Sequence, residues 1–238
     1  MSTKNLWLAV LSLTMGFTFS ACEEFEFLKE NGSEELQGTL PGGSVADAVD
    51  MGTSVKWAKW NVGATKPEET GGFFAWAEPY TKDSYSWSTY KWGNDVKALT
   101  KYSTCSDFGV VDYKLEVEKK DDAASVNWGG KWRTPSADEW KELQAKCVWT
   151  WVANYDSTGV SGYTVASEAT GNSIFLPAAG FMTEDQLYDV NEHGYYWSSS
   201  LYQTNSPGAC NTDFSAGWVG ANNYHYRELG YNIRPVTP

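Results

Sequence analysis

The stretch R-T-P-S-A-D-E-W-K-E-L, Arg133 to Leu143, carries the clearest local signal in the chain. Ser136 is placed to cap the backbone N–H of Glu139 while the Glu139 side chain reaches back to the Ser136 N–H, a capping box that starts a helix. Trp140 and Leu143, three residues apart, then share one face, and the pattern predicts a helix over Ala137 to Lys146. Upstream, Asp121-Asp122-Ala123-Ala124 predicts a shorter helix with acids in its first turn, where the dipole favours them, stopping by Gly129-Gly130.

Away from these helices the pattern is β. Val55 to Val62 (V-K-W-A-K-W-N-V) reads as a strand with Val55 and Trp57 on one face, and Phe73 to Trp76 as a second short strand. Tyr80 to Tyr102 is aromatic, polar and poorly periodic, a long packed loop. After the main helix, strand-like runs occur at 148–153, 162–166, 173–177, 195–199, 209–214 and 231–236, separated by Gly- and Asn-bearing loops. No repeat of 20 to 50 residues is evident.

Eighteen basic against 30 acidic side chains in 238 residues give a net charge of −12, which excludes a nucleic-acid electrostatic footprint. Thirteen Trp, 14 Tyr and 10 Phe supply a core without disulfide staples, since each buries about 150–250 Å².

Lys4 followed by the apolar run Leu6 to Phe19 is too short to span a bilayer and reads as a signal peptide over 1–21. Phe19-Ser20-Ala21-Cys22 resembles the lipobox of bacterial lipoproteins, which implies lipidation at Cys22; a plain secretory signal with an incidental cysteine is the alternative. Glu23, Glu24 and Glu26 resemble the surface-export signal of Bacteroidetes lipoproteins, implying a lipid-anchored protein of the outer membrane displayed at the cell surface. Residues 22–44 form an acidic tether, with six Glu between 23 and 43, and residues 45–238 one domain. Contact with the membrane is expected only through the lipid.

Cys105, Cys147 and Cys210 remain, an odd number that allows at most one bridge of undetermined pairing. With no C-x-x-C, no H-E-x-x-H and only His193 and His225, no metal or other cofactor is expected. Carboxylate neighbours such as Glu184-Asp185 and Asp138-Glu139 read as solvated faces. Ser198, Ser199 and Ser200 lack a G-x-S-x-G elbow and read as structural. No catalytic residue is assigned.

Six blocks carry a resemblance: V-K-W-A-K-W-N-V-G-A-T (55–65), F-A-W-A-E (74–78), V-N-W-G-G-K-W-R-T-P (126–135), N-S-I-F-L-P-A-A-G (172–180), G-Y-Y-W-S-S-S (194–200) and I-R-P-V (233–236). Their order over about 190 residues is similar to that in the Fibrobacter succinogenes major paralogous domain family, which in turn resembles the formylglycine-generating-enzyme group. The resemblance implies an α+β domain of C-type-lectin-like architecture, with short strands, one or two helices, long ordered loops and a terminal strand that pairs back into the sheet. The enzyme's chemistry does not carry over: the group's copper-binding thiol pair has no counterpart, since the nearest cysteines here lie 42 residues apart. Nor do Glu78-Pro79-Tyr80 and Trp60-Asn61-Val62 supply the sugar-binding calcium signature of true C-type lectins.

From Gln203 to Asn232, 17 of 30 residues are Asn, Tyr, Ser, Gly or Ala, a composition used by paratope loops, where rigid aromatics and small polar groups meet ligand. Gly208, Cys210, Trp218, Asn222, Asn223, Tyr224, His225, Tyr226 and Arg227 are therefore expected in loops as ligand contacts. The stretch also resembles the variable end of C-type-lectin-like proteins altered by diversity-generating retroelements; Gly208, Cys210, His225 and Glu228 fit that pattern. The expectation is a surface lipoprotein that binds a protein or glycan ligand without catalysis. A divergent formylglycine-type enzyme and an envelope-assembly subunit are the alternatives.

Overall fold

A computed structural model describes residues 43–238; the signal peptide, Cys22 and all but the last two residues of the tether lie outside the described residues. Two α-helices form where their caps predict them. In α1, Ala123–Trp128, Asp122 Oδ1 accepts from Ser125 N at 2.9 Å, and Gly129 at φ 67° ends the helix in a conformation glycine adopts at little cost. In α2, Ala137–Lys146, Ser136 Oγ accepts from Glu139 N at 3.2 Å and Glu139 Oε2 accepts from Ser136 N at 2.8 Å. The α2 residues Trp140 and Leu143 are fully buried, and the Trp140 ring lies 4.7 Å from Trp57 and 5.7 Å from Tyr196.

The strands form small antiparallel sheets. β1 (Ala48–Asp50) pairs with β2 (Lys56–Ala58). β3 (Cys147–Val152), β4 (Gly162–Ser167) and β5 (Ser173–Pro177) form a meander, and β6 (Phe181–Thr183) and β7 (Gln186–Tyr188) a hairpin. β8 (His193–Leu201), β9 (Gly208–Ser215) and β10 (Trp218–Tyr226) form a sheet with β9 in the middle, leaving β10 at an edge. β11 (Val236–Thr237) returns to β2 with Val236 opposite Trp57, so the two ends of the described chain pair.

This overturns the α+β expectation. Among the described residues there are 11 strands in four antiparallel sheets against two α-helices of six and ten residues, and the architecture is mostly β. The expectation came from the family resemblance and not from the chain's own strand-like runs, and it took β10 for loop. Smaller differences run the other way: Phe73 to Trp76 makes only the isolated bridge Phe74–Tyr231, the 55–62 run contracts to β2, and 231–236 contracts to β11 plus bridges. Cys105, Cys147 and Cys210 are all free thiols.

Two buried arginines, Arg234 on the terminal segment and Arg227 at the end of β10, tie distant parts of the fold together. Arg234, fully buried, donates to Asn61 Oδ1 (2.9 Å), Ala58 O (3.2 Å), Lys59 O (3.1 Å) and Phe175 O (2.8 Å), joining the terminal segment to β2 and β5. Arg227, also fully buried, donates to Tyr102 O at 2.9 Å and lies over the Trp76 and Tyr90 rings. No helix among the described residues is long and apolar enough to cross a membrane.

Candidate ligand-binding site

The segment expected as loops from Gly208 to Arg227 is a hairpin, β9 and β10. In its first half Val219 and Ala221 face the core against the α2 side, while Trp218 and Gly220 face away. The register slips between Ala221 and Asn223, where Asn222 takes φ 89° as the extra residue of a β-bulge. After the bulge the parity reverses: Asn223 pairs with Asn211 and its Nδ2 donates to Asp213 Oδ1, so Asn223 and His225 share a face with Asp213 and Gly220, the face that carries Tyr195 and Trp197 on β8. Tyr224 and Tyr226 point the other way.

Exposure divides the expected residues. Trp218, Tyr224 and Tyr226 are 49%, 45% and 50% exposed, Asn222 is exposed, and Asn223 and His225 are half-buried. The Tyr224 ring stacks on Tyr202 at 3.9 Å and Tyr226 meets the edge of Trp87 at 6.0 Å, extending the aromatic surface beyond the hairpin. Gly208, Cys210 and Arg227 are buried and do not present themselves to a ligand. Gly208 gives room to Tyr224, whose Cδ2 would stand 3.0 Å from a Cβ there. The Cys210 thiol donates to Leu201 O at 3.8 Å, and burial pushes its pKa up to about 11. Arg227 serves as the structural post described above. Cys22 lies outside the described residues.

The structure adds residues that composition did not single out. Asp213, 8% exposed, is raised above the usual carboxylate range by burial, opposed by the Asn223 bond and by the imidazoles of His225 and His193. The Tyr231 hydroxyl and His225 Nδ1 share a hydrogen bond of 2.7 Å, and burial lowers the His225 pKa. Tyr195, opposite Asp213, donates to Asp189 Oδ2 at 3.0 Å. Alternation along the 209–214 run would have placed Asp213 beside Asn211; the link to His225 and Tyr231 needed the bulge.

Beside the first helix, several polar groups of a groove are engaged within the fold. A groove of about 490 Å³ is lined by Glu116, Lys119, Asp122, Trp132, Arg133 and Ser199 among others. Arg133 bonds Glu139, Glu116 accepts from Ser199 and Ser200, and Asp122 accepts from Ser125 and Thr134, so its walls serve the fold. Ser198 donates to Cys210 O at 2.8 Å. In the turn after β7, Asp189, Glu192 and His193 bring three donor atoms within 4.8 Å of one another, an exposed arrangement common in acidic turns.

Residues 151–236 match a family described as "Domain of unknown function (DUF8237)", and the whole β8–β10 sheet falls inside that region. No curated protein and no solved structure matches the chain.

Proposed function

We propose that this chain is a non-enzymatic binding protein whose ligand seats on the β9–β10 hairpin. The observation that carries the reading is the joint exposure of Trp218, Tyr224 and Tyr226 on one edge strand, tied at its end through Arg227 to Tyr102 O. Large apolar rings left in water on a well-ordered strand are a cost that a ligand relieves. Lipid anchoring through Cys22 and display at the outer-membrane surface belong to the proposal and are supported by the leader's residues alone. Retroelement diversification is not extended into it: Gly208, Cys210 and Glu228, three of the four residues that suggested it, are interior.

Alanine at Trp218, Tyr224 and Tyr226 together abolishes binding on a glycan and bacterial-surface array while the melting temperature moves by no more than about 2 °C, since exposed truncations cost little. Unfolding of the triple variant would show the rings to be core and defeat the assignment. A second reading, an assembly subunit, draws on β10 having a strand partner on one side only; concentration-dependent polymerisation of the purified chain without added ligand would favour it.

A further inference from the structure

Of the 12 tryptophans among the described residues, Trp218 alone has neither an aromatic ring against it nor an acceptor for its Nε1. It lies across Gly220. A Cβ at Gly220 would stand 2.7 Å from the Trp218 ring and 2.6 Å from Asn223 Nδ2, so only glycine lets the indole and the carboxamide close over the strand together. Asn223 in turn holds Asp213, the residue paired with Gly220 on β9. His225, two residues on, shares that face and is tied through Nδ1 to Tyr231.

We propose that Trp218, Gly220, Asp213, Asn223 and His225 form a subsite for one neutral sugar ring. The indole takes the ring's C–H face, and the Asp213–Asn223 pair with His225 reads its hydroxyls. This rests on the hairpin being the ligand-binding element and names what one of its faces takes. A carboxylate beside a carboxamide offers acceptors and donors side by side, which suits vicinal hydroxyls that are each both. The charged groups acting on Asp213 are the two imidazoles, and the neighbouring turn adds Asp189 and Glu192. The carboxylates of Asp213, Asp189 and Glu192 disfavour an anionic ligand here, so a neutral ring fits where an acidic one is repelled.

The test uses the purified full chain on an array of neutral and acidic glycans, followed by calorimetric titration of the strongest neutral oligosaccharide. Variants Trp218→Ala, Asp213→Asn and Tyr224→Ala are compared, each checked by its melting curve. Trp218→Ala, at an exposed position, keeps the test open should Asp213→Asn lower stability. Neutral glycans bind, Trp218→Ala and Asp213→Asn each weaken binding by about tenfold or more, and Tyr224→Ala, on the opposite face, weakens it less than either. Retention of acidic glycans only, or of none, overturns the subsite. Neutral binding lost with Tyr224→Ala and kept with Trp218→Ala also overturns it while leaving the hairpin reading intact. The hairpin reading fails separately, when the triple aromatic variant still binds the bacterial-surface array.

Discussion

Replacing Glu228 by Gln is expected to stabilise this protein, and to do so more at pH 8 than at pH 5. Glu228 follows Arg227 at the base of the hairpin, is 7% exposed, and its Oε2 is shielded from solvent with no hydrogen-bond partner. Lys82 and Arg227 pull its pKa down and Glu184 pushes it up, but Lys82 is engaged with Glu78 Oε1 at 3.0 Å and Thr89 O at 3.1 Å. Burial wins, and the pKa stands at about 7 against 4.5 for a free carboxyl. The sign follows from proton counting. Between 4.5 and about 7 the native state binds the proton that the unfolded chain has released, so stability is greatest below that window, falls across it and is flat above it.

A displacement of that size corresponds to about 3 kcal/mol at full ionisation. Gln keeps the shape and brings its own unmade amide bond, so the net gain at pH 8 is about 1–2 kcal/mol, or about 2–8 °C in melting temperature for a domain of this length. Denaturant titrations of both proteins at pH 5, 6, 7 and 8 measure it. Asp122 and Asp213, also raised by burial, contribute the same slope to each protein and cancel in the difference. A difference that stays constant with pH, or a variant less stable than the parent at pH 8, would refute the reasoning.

Arg234→Met is expected to cost at least about 4 kcal/mol by equilibrium denaturation, because four buried or half-buried oxygens lose their donor at once; a loss under 1 kcal/mol would mean water replaces the guanidinium freely. In thiol labelling of the folded protein at pH 8, Cys210 reacts last and only on unfolding, since its thiol is buried and its pKa is pushed up to about 11; fast labelling there would show that the β9 strand opens locally.

How much of this was legible in the sequence depends on how local the cause is. The α2 helix was readable to the residue because Ser136, Glu139, Trp140 and Leu143 declare start and face within eight positions. The strand Ser173–Pro177 was readable because a β-rich run sits between turn residues. β10 was not. Gly220, Ala221, Asn222 and Asn223 have low β propensity, and the bulge breaks the alternation that would have betrayed a strand. What holds β10 in place is pairing with β9 and the Arg227 bonds to a loop 125 residues away, neither of which has a local signature.

The same division explains the site. Composition picks residue types suited to binding, and it selected Trp218, Asn223 and Tyr224 together with Gly208, Cys210 and Arg227, without knowing which face each would take. The bulge decides. Were Asn222 paired in register instead of bulging, every side chain from Asn223 onward would change sides. Tyr224 and Tyr226 would then cover Asp213, and Asn223 and His225 would turn toward the side now taken by Tyr224. The juxtaposition of a carboxylate, a carboxamide and an imidazole beside an unpaired indole is therefore the product of one inserted position. A reading of residue types alone reaches the right strand and still misassigns its two faces.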